Sequence, residues 1–125
     1  MLKARVLEEI KNYLKDEMTE TKDAERAAEI QRLLLIYQHL PHREYSDDDQ
    51  VIPSALVQLA LGELLTYCFV SPQGGGLVTR VDGQPVQVVT PYSPLGEAIM
   101  GKKVGDQVRV ELRGSAREYR IVSIR

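Results

Sequence analysis

The sequence predicts an α+β fold. An antiparallel helical hairpin, a short coiled coil, occupies residues 1–41. A linker covers 42–50, and a small β domain carrying one short helix covers 51–125. Three observations predict this. Apolar residues recur twice at helical spacing before Pro41, around one short polar stretch. The later residues read as short β-rich runs punctuated by glycine turns. Between two of those runs stands a serine-capped, proline-started helix signal.

In the first segment, Leu2, Val6, Ile10 and Tyr13 share one helical face, and Glu8, Glu9, Lys11 and Lys15 fill the other. The stripe fades after Leu14, so Lys15 to Asp23 is read as the reversal. Thr19 or Thr21 is the expected cap of a second helix, with Asp23 and Glu25 near its positive end. That helix carries Ala27, Ile30, Leu34 and Tyr37. Two such stripes joined by a polar turn make an αα-hairpin, here read as an arm projecting from the fold. Pro41 ends it and biases Leu40 away from helix.

Ser46-Asp47-Asp48-Asp49 is a local acidic run, read as a solvated spacer. Strands are expected at Val57–Leu61, with Val57, Leu59 and Leu61 alternating against Gln58 and Ala60, and around Leu65, Tyr67 and Phe69 after a Gly62-Glu63 turn. Further strands are expected at Gln84–Val89, Gln107–Leu112 and Glu118–Ile124. Pro72 to Gly76 is a loop. Asp82-Gly83 and Gly105-Asp106 are turns, and Gly114-Ser115 is the last hairpin turn. Pro94 to Met100 is the short helix, capped by Ser93 and closed by Gly101.

Composition excludes several functional classes. The net charge is -2, which does not mark a bulk nucleic-acid binder. The charge is uneven: residues 1–49 hold 12 acids against 8 bases, and residues 50–125 hold 6 against 8. Two pieces with different jobs are implied. No apolar run is long enough for a bilayer, and Met1 to Arg5 shows no secretory leader. The single cysteine, Cys68, sits in an apolar strand and is expected to be buried and inert, which suits a reducing compartment.

Chemistry-bearing groups are few. Asp16, Glu17, Glu20 and Asp23 cluster at the hairpin tip. Such carboxylates could chelate a hard cation supplied by a partner, meet a basic surface, or simply solvate a helix turn. His39 and His42 flank Pro41, which breaks the continuous turn a helical zinc pair needs. Gly74-Gly75-Gly76 lacks the lysine and hydroxyl ending of a phosphate loop. Arg109, Arg113, Arg117, Arg120 and Arg125 crowd the last hairpin, with Arg109, Glu111 and Arg113 expected on one solvated face.

The stretch from Thr90 to Val108 joins a strand end to Tyr92-Ser93-Pro94-Leu95, then Met100-Gly101-Lys102, then Gly105-Asp106 and the closing strands. This combination resembles the C-terminal domain of the GreA/GreB transcription elongation factors, and the similarity runs more weakly from about Val51 to Arg125. The resemblance implies an FKBP-like domain that docks at the rim of the secondary channel of bacterial RNA polymerase. Ser93, Pro94 and Leu95 are then the docking contacts. Tyr92 stands beside them, where the family commonly has a polar Asp or Asn. In that family a coiled-coil tip helps hold a metal in the polymerase, which drives transcript cleavage. Each helix here has roughly 18 residues, or about 27 Å, shorter than in the cleavage factors. The chain therefore looks like a short-armed, Rnk-like member. That implies a cytoplasmic polymerase-binding regulator that competes with longer-armed factors. It implies no catalysis or cofactor of its own, no membrane and no sequence-specific nucleic-acid contact. Two alternatives remain. One is a cleavage factor using Asp16, Glu17, Glu20 and Asp23 on a Mg ion shared with the polymerase. The other is an interaction module dimerising through the hairpin.

Overall fold

The computed structural model describes residues 2–40, 44–73 and 75–125, with Leu112 described by its backbone alone. Pro41, His42 and Gly74, singled out above, lie outside these. Helices α1 (Leu2–Glu20) and α2 (Ala24–His39) form the hairpin. Leu40 is extended, as a residue preceding proline should be. The strands are β1 (Leu56–Leu61), β2 (Leu64–Val70), β3 (Val78–Val81), β4 (Gln84–Val89), β5 (Gln107–Leu112) and β6 (Ser115–Ile124). A short helix, α3 (Pro94–Ile99), lies between β4 and β5. The strands make one mixed sheet in the order β3-β4-β2-β1-β6-β5. Only β2 and β4 run parallel: β3, which lies between them in sequence, takes the sheet edge beyond β4 and turns the chain back through a hairpin into β4 beside β2.

The hairpin is not a projecting arm. Val6, Leu7, Ile10 and Leu14 of α1 and Ile30, Leu33 and Tyr37 of α2 form one core with Leu56, Phe69, Val81, Val86 and Val88 of the sheet. The Tyr37 ring lies 6.2 Å from that of Phe69, and its hydroxyl is 3.0 Å from Ser71 Oγ. Arg5 pairs with Asp82 in the β3–β4 turn. This explains the error in the α1 stripe. A helix packed on both a helix and a sheet needs a wider apolar face than one with a single partner. Leu7 and Leu14 are accordingly buried, while Tyr13 keeps 48 % of its surface in water. The same packing occupies the stripes that dimerisation through the hairpin would have used.

The other sheet face holds a second core. Val57, Leu59, Cys68, Val70, Val89, Val108, Ile121 and Ile124 pack there with Ile99 of α3 and with Val51. Because β1, β2 and β4 are covered on both sides, their apolar residues exceed simple alternation: Leu56, Val57, Leu59 and Ala60 are all buried. Burial pushes the Cys68 thiol up to about 12, so it is inert as expected.

Several boundaries differ from the sequence reading. The first helix continues to Glu20, because Met18, four residues after Leu14, prolongs the apolar stripe onto the core. The reversal is then only Thr21 to Asp23. Asp23 itself caps α2, accepting from the amides of Glu25 and Arg26, and Thr21 Oγ1 instead accepts the Asp23 amide. The strand β3 was not foreseen, being only four residues long. The last hairpin turns at Arg113-Gly114, both at positive φ (52° and 80°), and Ser115 already pairs with Leu112. Arg113 therefore does not continue the face of Arg109 and Glu111. The acidic run is exposed, but it is also tethered. Asp47 accepts from the Ile124 amide and from the Arg125 guanidinium.

If both cores belong to one cooperative unit, damage to one must open the other. Ile10→Ala is expected to cost about 2–5 kcal/mol. It should also raise the rate at which a thiol reagent labels Cys68, on the opposite face, by about tenfold for each 1.4 kcal/mol of stability lost. Unchanged labelling in a destabilised variant would show that the two cores open separately.

Candidate functional site

Two groups of residues carry the functional expectations: the loop that starts α3, and the hairpin tip. In the first, Ser93 is extended (φ -75°, ψ 157°) and caps α3. Its Oγ accepts from the Gly96 amide at 3.2 Å and donates to the Thr90 carbonyl at 2.7 Å. That carbonyl also accepts the Ser93 amide at 3.1 Å. Pro94 occupies the first helical position, where its missing N–H costs nothing. Gly96 is buried because nothing larger fits. A Cβ there would overlap the Thr90 carbonyl oxygen and lie 2.7 Å from its carbon.

The far end of α3 is equally fixed. Ile99 is buried in the second core, with Leu95, Ala98 and Met100 half-buried beside it. Gly101, at φ 76°, donates its amide to Val51, and the Val51 amide bonds back to Lys102. Asp106 accepts the Lys103 amide at 2.9 Å. The result is a rigid corner that presents Tyr92, 86 % exposed, next to exposed Pro94 and half-exposed Leu95.

At the tip, the four carboxylates do not act alike. Glu17 takes Arg26 through both oxygens, at 2.7 and 3.0 Å, across the turn. Arg26 also reaches Glu29 at 3.2 Å. The hydrogen bond from Arg26, and then its charge, hold the Glu17 carboxyl below its ordinary value. Asp23 is engaged as the α2 cap. Asp16 and Glu20, four residues apart on α1, are exposed. Among the described residues, no three His, Cys, Asp or Glu side chains converge as a metal site.

The structure brings the two groups to one end of the sheet, which the sequence did not reveal. Leu14, Glu17, Arg26, Leu33 and Tyr37 line a cleft of about 230 Å³ with Gly75, Gly76 and Leu77. Gly75 in turn approaches Thr90, directly before the α3 corner. Two of the arginines in the last hairpin have acidic neighbours: Arg125 pairs with Asp47, and Arg109 bonds Glu111 at 3.1 Å and stands opposite Glu118. No helix among the described residues is long and apolar enough to cross a membrane.

A mixed sheet with a serine-capped crossing helix and an N-terminal helical hairpin defines the class. In a solved structure of the transcription factor Gfh1, 98 % of this chain superposes on 85 % of that chain, with a TM-score of 0.50 and 18 % identity. The Gfh1 protein of Thermus thermophilus gives a TM-score of 0.47 at 17 % identity, covering 98 % of this chain and 87 % of that one. The first of these likenesses concerns the fold alone. In sequence, the chain is 24 % identical over 95 residues to transcription elongation factor GreA of Clostridium perfringens strain SM101. The match covers 75 % of this chain and 60 % of the relative's length. Residues 47–125 match the family model for the C-terminal region of transcription elongation factor GreA/GreB. The chain belongs to the GreA/GreB family.

Two outcomes follow from the geometry. Gly96→Ala is expected to destabilise by about 2–3 kcal/mol through overpacking against Thr90, measurable by urea unfolding. The Glu17–Arg26 pair should be acid-sensitive. A carboxyl lowered on folding contributes stability above its ordinary value of 4.5 and loses it as pH falls further. The side chains are 35 % and 30 % exposed, so the contribution should stay below about 1 kcal/mol. Thermal midpoints of wild type and Arg26→Gln should therefore converge as pH drops below that value. A constant gap would mean the pair does not act through Glu17 ionisation.

Proposed function

We propose that the chain is an RNA polymerase-binding transcription regulator that acts at the secondary channel and competes there with longer-armed relatives. The observation that carries this reading is the rigid Tyr92-Ser93-Pro94-Leu95 corner on a GreA/GreB C-terminal domain. Exposed aromatic and apolar side chains on a fixed backbone suit docking, because little conformational freedom is lost on binding. The hairpin supports regulation over cleavage. Its helices have 19 and 16 residues and are spent largely on the sheet. Two of its tip carboxylates hold the turn together. In this reading the chain is a cytoplasmic, short-armed, Rnk-like member. Any Mg at the cleavage centre belongs to the polymerase.

Core bacterial RNA polymerase should retain the wild-type chain in a pull-down. Pro94→Ala with Leu95→Ala should weaken binding about tenfold or more, the size of a docking hot spot. No retention of the wild type would remove the proposal. Added in excess to stalled complexes, the chain should suppress GreA-stimulated RNA cleavage. Stimulation of cleavage by the chain alone would instead support the cleavage-factor reading, with Asp16 and Glu20 as the first residues to replace.

A further inference from the structure

Thr90 lies two residues before the Tyr92–Leu95 corner, and two glycines press on it: Gly96 just beyond that corner, and Gly75 from a different loop. The Gly96 backbone lies so close to the Thr90 carbonyl that no side chain fits between them. From the loop between β2 and β3, Gly75 approaches the Thr90 side chain. A Cβ on Gly75 would stand 3.1 Å from Thr90 Cγ2 and 3.4 Å from its amide nitrogen. Gly75 is exposed, and its φ lies outside the left-handed region that favours glycine. Backbone strain therefore does not explain a glycine here, and the neighbour that a side chain would crowd is Thr90. The Thr90 carbonyl also accepts both the amide and the hydroxyl of Ser93. Any displacement of Thr90 is thus passed to Ser93, and through the Ser93 hydroxyl to the Gly96 amide.

We propose that Thr90 is the positioning residue of the docking corner, and that the Gly75 loop sets its place. The loop is itself held. Ser71 Oγ accepts from Tyr37 and donates to the Gln73 carbonyl, the Ser71 amide bonds to Val89, and the Gly76 amide bonds to Val88. The presentation of Tyr92, Pro94 and Leu95 therefore depends on a loop that contains none of the proposed docking residues. This inference rests on the docking reading for its functional consequence, but the positioning itself can be measured without polymerase.

The test is a rescue. Gly75→Ala should force Thr90 to shift by a few tenths of an ångström. Amide hydrogen exchange at Ser93 and Gly96 should then quicken about tenfold, as local openings become easier. Binding to core RNA polymerase should weaken about fivefold, less than when an anchor residue is removed. Adding Thr90→Ser removes the Cγ2 methyl that the new Cβ would meet. The double variant should regain slow exchange and tighter binding relative to Gly75→Ala, the non-additivity expected of residues in contact. Unchanged exchange at Ser93 and Gly96 in Gly75→Ala, or no recovery with Thr90→Ser, would overturn the proposal. If the exchange pattern appears but wild-type protein does not bind polymerase, the positioning stands and the docking reading falls.

Discussion

The contact between the hairpin and the sheet governs the rest of the molecule. Phe69, Val86 and Val88 belong to central strands, and without the helices they would face water. Val6, Ile10 and Ile30 would be equally bare without the sheet. Each such side chain contributes about 1.5–3 kcal/mol when buried, so neither layer is self-sufficient. Tyr37 marks where the layers meet most specifically. Its ring packs on Phe69, and its hydroxyl, too costly to bury unpaired, finds Ser71. Burial still holds its ionisation above the ordinary tyrosine range.

That contact also orders the functional end of the sheet. Ser71 closes β2 and begins the loop that returns to β3, so the helix that fixes Ser71 helps to fix the loop. On the opposite face, α3 crosses from β4 toward β5 and must pack closely enough to bury Ile99. Gly96 permits that approach, and Ser93 accepts the Gly96 amide in the first turn of the helix while holding the preceding turn. The exposed corner owes its rigidity to buried contacts on both faces rather than to anything at its own surface.

The features legible in sequence were those encoded locally. Ser93-Pro94 announces its cap and first turn within four residues, and Asp82-Gly83 announces a turn by demanding positive φ twice. The cap is legible in full, but at Asp82-Gly83 only the turn is, since the four-residue β3 that makes it a hairpin carries too short a signal. What could not be read depends on residues far apart. Choosing Leu7 over Tyr13 requires knowing that a sheet lies beneath the helix. Distinguishing Asp23 from Thr21 as the cap requires knowing that α1 runs on to Glu20. Around α3, the Ser93-Pro94-Leu95 motif is visible as a string, but the Gly75–Thr90 approach is not. A glycine that makes room for a neighbour from another strand looks the same in sequence as one in a plain loop.

The tip carboxylates show where magnitudes decide between roles. Freeing Glu17 from Arg26 costs less than about 1 kcal/mol, since the pair is partly exposed. Losing Asp23 as a cap costs roughly 1 kcal/mol more. A well-formed cation site could offset both, so their engagement does not by itself preclude recruitment. Position is the stronger constraint. To carry the tip to a different place relative to the Tyr92–Leu95 corner, the hairpin would have to leave the sheet. Val6, Ile10, Ile30, Phe69 and Val88 would then all enter water. At about 1.5–3 kcal/mol each, that loss rivals the whole stability of a small domain. The carboxylates are thus chemically available but spatially fixed.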